Sequence, residues 1–314
     1  MSNAAKIMVL HGGLLALLFV LNFTLPAYHH GNLARIMVLA SFAIGYNIMF
    51  GYTGLLSLGH AMFFAAGMYG MALTIRHLGF SPAPALIAGL AAGVMLSLVV
   101  GLLALRTAGV AFMIVTLMFA QAGYLTILLF GTWTRGDEGF VIQQAERILW
   151  GIDLSDPGSR YLAALCLFAA CLLISLQLVR SPMGRVFIAI RENEDRAQLL
   201  GYNVFRYKLM SVVISGAICA AAGAFYGLLF GYAGATFATV QYSIFPLLWV
   251  LLGGAGTIIG PFLGVLFMFY LIDLSSGLTT AYMLIAGFVL VMITLFAPQG
   301  IAGEVRRRIW GWLP

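Results

Sequence analysis

The feature that most constrains this chain is how little of it can face water. Of its 314 residues, 62% are hydrophobic and only 8% are charged, against roughly 25% charged in a soluble domain. No soluble core absorbs that much apolar surface, so the solvent is a bilayer. A spanning helix needs about 20 apolar residues. Ten apolar segments are legible: Ile7–Leu25, Leu33–Phe50, Leu55–Ile75, Ala83–Leu105, Gly109–Phe130, Tyr161–Val179, Tyr207–Phe230, Ile244–Leu252, Phe262–Leu274 and Ala281–Phe296. The eighth is too short to cross as a regular helix, which implies a broken or re-entrant piece. The fold class expected is therefore an all-α polytopic membrane protein of about 10 transmembrane segments in one domain, residues 1–314, with one or two short or broken helices.

The net charge of +6 does not indicate a nucleic-acid partner, because the basic residues sit in loops beside apolar spans. Six of the sixteen Lys and Arg fall in 180–208, and Arg306, Arg307 and Arg308 lie in a row near the end. Both regions are expected to be cytoplasmic. Six crossings before residue 180 then put the N-terminus inside as well, and the loop 131–160 outside. That loop carries five acids against three arginines. Ile7–Leu25 lacks the n-region and cleavage site of a signal peptide and reads as an uncleaved span.

Several chemistries are missing. Cys166, Cys171 and Cys219 all lie in apolar segments and read as small hydrophobes, not a disulfide framework. His29-His30 falls in an expected external loop with no Cys or carboxylate beside it, and is expected to be solvated rather than a metal site. The chain has no G-x-x-x-x-G-K-[ST], G-x-S-x-G, H-E-x-x-H or C-x-x-C motif, so no cofactor is expected. Asp273 is the only acid in any span, so no acidic relay for an ion-coupled carrier is visible.

Glycine breaks two regions, Gly51-Tyr-Thr-Gly-Leu-Leu-Ser-Leu-Gly-His60 and Gly253-Gly-Ala-Gly-Thr-Ile-Ile-Gly-Pro261. Broken spans at corresponding places in two weakly related halves point to a translocation pathway. Ser57 and His60 in the first break and Gln121 in the fifth span are the polar residues expected to border it. The glycine ladders Gly223/Gly227/Gly231, Gly256/Gly260/Gly264 and Gly89/Gly93 make flat faces for close helix packing within the chain.

One segment, about 180–206, is dense in charge. Ser181 before Pro182 starts a helix to Arg191. Asn193 caps a second, Glu194–Leu200, with Gly201 just beyond it. The result is a helical elbow exposing Arg185, Arg191, Glu192, Glu194, Asp195 and Arg196, which reads either as a solvated connector or as a docking surface.

These residues carry a resemblance. Gly51–Ala61, Arg180–Asp195 with Gly201-Tyr-Asn203, and Leu252–Pro261 together resemble the permease subunits of branched-chain amino acid ABC importers, in the M-type of two paralogous permeases. The resemblance covers about residues 35–303. It implies a heterodimer with a second permease, two cytoplasmic ATPase subunits, an external solute-binding protein and a bacterial inner-membrane address. The elbow corresponds to the loop that docks into the ATPase, although Asp195-Arg196-Ala197 departs from the general pattern there. The family imports hydrophobic amino acids, urea and short amides, and aromatic or other small organic acids. Gly136-Asp-Glu-Gly139 also departs from the expected external motif. The competing readings are a self-sufficient carrier or channel and an intramembrane enzyme; for the latter no nucleophile and base converge.

The Lys/Arg asymmetry sets a first expectation. A cysteine at Gln198 should react with a membrane-impermeant maleimide only from the cytoplasm, and one at Ser155 only from outside. Equal reaction from one side would overturn this orientation.

Overall fold

A computed structural model of the protein describes residues 3–308. The expected cytoplasmic placement of the extreme termini concerns residues at and beyond those limits.

The described chain is a helical bundle. Its helices are α1 (Asn3–Thr24), α2 (Ala27–Asn47), α3 (His60–Leu78), α4 (Pro82–Ala104), α5 (Gly109–Leu129), α6 (Gly131–Thr134), α7 (Pro157–Arg180), α8 (Pro182–Glu192), α9 (Glu194–Leu199), α10 (Val204–Phe230), α11 (Val240–Gly253), α12 (Gly260–Ser276), α13 (Tyr282–Phe296) and α14 (Gly300–Arg308). Among the described residues, six helical stretches are long and apolar enough to cross a membrane: Ala5–Thr24, Ala27–Tyr52, Pro82–Ala104, Gly109–Leu129, Pro157–Arg180 and Val204–Phe230. The protein is an all-α polytopic membrane protein.

The core sits on α2, α3 and α10. Side chains from Ile36 to Met49 on α2 and its continuation are almost wholly enclosed, as are Phe63, Phe64, Met68 and Met71 of α3. The glycine ladders lie inside this core. An added Cβ at Gly67 of α3 would fall on the Ala220 backbone of α10, and one at Gly223 of α10 on the Phe64 carbonyl of α3. Gly93 of α4 faces Ala220, and Gly264 of α12 faces the Trp249 carbonyl of α11. Backbones approach this closely only where no side chain intervenes, and dispersion between the touching surfaces then supplies the attraction that the lipid cannot.

Beyond the spans, two short ribbons close the loop 131–156. Phe140–Val141 pairs antiparallel with Tyr232–Ala233, and Ile148–Leu149 with Ile152–Asp153. The Asp153 carboxylate accepts from the Ser155 hydroxyl and N–H and from Gln144. The Ser155 hydroxyl, then the Gln144 amide, hold its pKa down at about 2.

Three details differ from the sequence reading. The third helix starts at His60 rather than Leu55, because residues 53–59 leave helical form. His29 and His30 belong to the first turn of α2; His30 is buried, stacks on Tyr161 and bonds Asn22 instead of being solvated. Cys166 is exposed, whereas Cys171 and Cys219 are buried as expected.

The close approach of α3 and α10 yields a stability expectation. Gly67→Val should lower the melting temperature of the purified protein, since overpacking a tight contact costs about 1–3 kcal/mol. Gly13→Ala in α1, where a methyl group meets nothing, should leave it unchanged or raise it. Equal melting of Gly67→Val and the unaltered protein would overturn the packing account.

Candidate functional site

The two glycine breaks meet. At the end of α2 the helix widens to a π-turn over Ile48–Tyr52 and stops. After α11 the chain turns through Gly254 and Gly256, both at positive φ, before α12 starts at Gly260. Such turns free backbone groups that water cannot satisfy in a membrane interior. Asn47, at the end of α2 where the first break begins and only 1% exposed, supplies partners for the second. Its Nδ2 donates to the Thr257 carbonyl at 2.8 Å, and its Oδ1 accepts from the Gly256 N–H at 3.0 Å. Gly51 and Gly256 lie against Asn47 and each other, so a Cβ on Gly51 would strike both the Asn47 side chain and the Gly256 backbone.

The elbow reaches this junction directly. The Ser181 side chain accepts from Gly184 N–H at 3.2 Å and starts α8, and Asn193 accepts from Arg196 N–H at 2.8 Å and starts α9. Gly201 follows at φ +89° and turns the chain into α10. Val186, Phe187, Ile190 and Ala197 are the buried face. Arg185, Arg191, Glu192, Glu194, Asp195 and Arg196 are exposed. Glu194 pairs with Lys208 at 2.5 Å. Arg191 behaves differently from its neighbours: its guanidinium turns back toward the bundle and donates to the Gly51 carbonyl, beside Gly256. It therefore ties the elbow to both breaks. The same guanidinium borders a cavity of about 560 Å³ lined by Gly256, Thr257, Gln299, Arg306 and Arg307. α14 closes that cavity, with Glu304 pairing Arg307 and Arg308.

The residues expected along a pathway divide. Ser57 and His60 are together at the end of the first break, both fully enclosed. The Ser57 hydroxyl accepts from Gly59 N–H at 3.1 Å, and the His60 ring bonds the Ser215 hydroxyl at 2.9 Å. Tyr46 donates to the Ser57 carbonyl at 3.1 Å. Above them, Thr116 of α5 accepts from Leu58 N–H at 3.2 Å, so the first break is seated against α5. Gln121 is half-buried further along α5. Beside it, a cavity of about 360 Å³ opens between α5 and α3, with Met62, Phe119 and Gly123 on its walls.

The sequence reading missed two things. Asn47 has nothing local in the sequence to mark it; its reach to Gly256 depends on a fold contact some 209 residues away. Leu199 and Leu200 are 88% and 70% exposed on the otherwise charged elbow. Two adjacent exposed leucines at the end of a short helix were visible in the pattern and went unused.

The chain is similar to known transport proteins. The family model described as branched-chain amino acid transport system / permease component matches residues 30–297. The high-affinity branched-chain amino acid transport system permease protein LivM of Escherichia coli is 30% identical over 300 residues, covering 87% of this chain and 69% of the relative. LivH, a permease protein of the same named system in that organism, is 26% identical over 285 residues, covering 84% and 91%. A probable LivM of Methanocaldococcus jannaschii is 32% identical over 144 residues, 41% of each chain. No solved structure matches the chain. With most of its length matched by the family model and by an M-type relative, the chain belongs to the branched-chain amino acid transport permease family.

Proposed function

We propose that this chain is the M-type permease subunit of an ATP-driven importer for hydrophobic or branched-chain amino acids or a related small solute. Its partners are a second, homologous permease, two cytoplasmic ATPase subunits and an external solute-binding protein. ATP hydrolysis belongs to the ATPases, and this chain is a non-catalytic transport subunit of a bacterial inner membrane. In this reading ten helices cross, α1–α5, α7 and α10–α13, with α8, α9 and α14 on the cytoplasmic side; the six long apolar helical stretches support it.

The observation that carries the proposal is the direction of Arg191. An elbow that merely connects two spans has no need of a guanidinium reaching into the bundle. Here the exposed face, Arg185, Glu192, Asp195 and Arg196 with Leu199 and Leu200, meets the ATPase. Arg191 transmits its movement to Gly51, and Asn47 carries it on to Gly256. Both breaks then move as one unit when the elbow moves. Ser57 and His60 lie next along the first break and Gln121 beyond them on α5, so the route opens where α5 leaves that segment.

The elbow residues should separate into two classes. Reversing Asp195 to Arg should weaken association with the ATPases, because breaking one side of an interfacial charge pair costs about 2–5 kcal/mol. Arg191→Ala and Asn47→Ala should leave the ATPases bound and hydrolysing, yet cut uptake in proteoliposomes about tenfold or more. Asn47→Ala also strands a buried N–H, at a cost of about 1–3 kcal/mol. Normal uptake by Arg191→Ala would remove the transmission role, and uptake by this chain alone would replace the importer with a self-sufficient carrier. For the route, Gln121→Trp should block uptake with assembly intact; normal uptake by that variant would move the route away from α5.

A further inference from the structure

Another cavity runs from Trp249 of α11 to Asp273 near the end of α12 and shares no lining residue with the cavity at the coupling junction. It measures about 400 Å³, within the range of small-molecule sites, and is apolar with a few polar groups. Tyr226 of α10, Phe237 in the turn after it, and Tyr242, Phe245 and Trp249 of α11 form its walls, and Asp273 of α12 stands at its edge. Asp273 lies roughly 20 Å along α12 from Gly260, at 1.5 Å per residue, so this edge is remote from Arg191 and the glycine breaks.

The walls are held by ring contacts. Phe245 and Trp249 stack with centroids 5.8 Å apart, Phe237 meets Tyr242 edge-on at 5.1 Å, and Phe42 stacks behind Tyr242 at 6.1 Å. Rings fixed in this way present a pre-formed aromatic surface, which costs a ligand little reorganisation.

Asp273 is the anomaly. It is the only acid in the apolar helices, and ionisable groups at such positions are expensive and are kept paired. Tyr28 donates to its Oδ2 and Asn32 donates to the same oxygen at 3.5 Å. Those bonds fix the carboxylate but bring no positive charge. No Lys, Arg or His forms a salt bridge with it among the described residues. A fixed carboxylate without a cation, beside an aromatic wall, fits a ligand that brings the cation itself. Aromatic faces add to this, since they attract ammonium groups.

We infer that this cavity is a way-station for the solute: it holds molecules with an ammonium group and an apolar body, the ammonium on Asp273 and the body against Trp249, Phe245 and Tyr242. The inference rests on the importer reading and deepens it by giving the permease its own check on the solute. A neutral solute or a simple carboxylic acid lacks the group that Asp273 reads. Binding is weak, because a solute held tightly within the permease could not leave on the far side.

Photolabelling tests this on the assembled importer in lipid nanodiscs. The probe is tritiated 4-azido-L-phenylalanine, with labelled peptides mapped by mass spectrometry. Label is expected on α11 and α12, displaced by L-phenylalanine and L-leucine. 3-Phenylpropionate, with the same ring and no amine, should not displace it. Asp273→Asn should lower labelling about tenfold, the loss expected when a charge-assisted hydrogen bond is removed. Asp273→Glu should keep most of it, which separates loss of charge from loss of fold. Unchanged labelling of Asp273→Asn overturns the proposal, as does equal displacement by 3-phenylpropionate. Label that appears only in the isolated chain also overturns it, because the second permease then fills the cavity. Uptake by this chain without ATPases would instead defeat the importer reading while leaving the labelling result standing.

Discussion

Every other feature of this molecule depends on how it satisfies backbone groups where its helices stop inside apolar surroundings. A helix closes its own hydrogen bonds, so the bundle can be almost entirely hydrophobic. Breaking two helices frees N–H and C=O groups where water is scarce, each costing about 1–3 kcal/mol if left alone. The chain answers by bringing the breaks together. Asn47 bonds the second break through both ends of its amide, and Arg191 caps the first at Gly51. Because Asn47 stands on the helix that ends in the first break and bonds the second, the two breaks are tied to each other. A local problem of hydrogen bonding thus becomes a physical link between the elbow and the interior.

Glycine makes that link possible at two levels. At Gly51 and Gly256 the absence of a side chain lets two backbones and an amide share one small volume. Along α3 and α10, Gly67 and Gly223 let the helices touch backbone to backbone. The first arrangement concentrates hydrogen bonds and the second concentrates dispersion. α5 has less of either: few of its side chains are buried, and it meets the first break where Gly59 lies on the Thr116 carbonyl and Leu58 N–H donates to the Thr116 hydroxyl. In the proposed importer α5 is the wall that moves, while the junction that drives it stays assembled.

Much of this was legible in the sequence. The elbow was readable to within a residue, since Ser181-Pro182, Asn193 and Gly201 are local stop and start signals whose physics needs no tertiary context. The glycine breaks were readable too, because 51–60 and 253–261 interrupt otherwise uniform apolar runs. What was not legible was direction. Arg191 and Arg185 look alike in sequence and both are exposed, and only the packing of α8 against the bundle brings the Arg191 guanidinium onto the Gly51 carbonyl. Asn47 was hidden for the same reason: its partners are more than 200 residues away. His30 was misplaced because a histidine beside proline and glycine resembles a loop residue until Tyr161 is seen stacking on it.

The two ends of the bundle obey the same electrostatic rule with opposite outcomes. At the elbow, charges are many, exposed and two-signed, so each is hydrated or paired, as Glu194 is by Lys208. A surface of this kind gives orientation and specificity to a docking partner more than raw affinity. The exposed Leu199 and Leu200 supply the apolar area that affinity needs. Among the residues lining the far cavity the one acid is Asp273, held by the neutral donors Tyr28 and Asn32 and set beside rings. An isolated carboxylate of this kind contributes little to folding and discriminates strongly between ligands that carry a cation and those that do not. In the reading proposed here, charge at the elbow orients a macromolecular partner, and charge at Asp273 a small one.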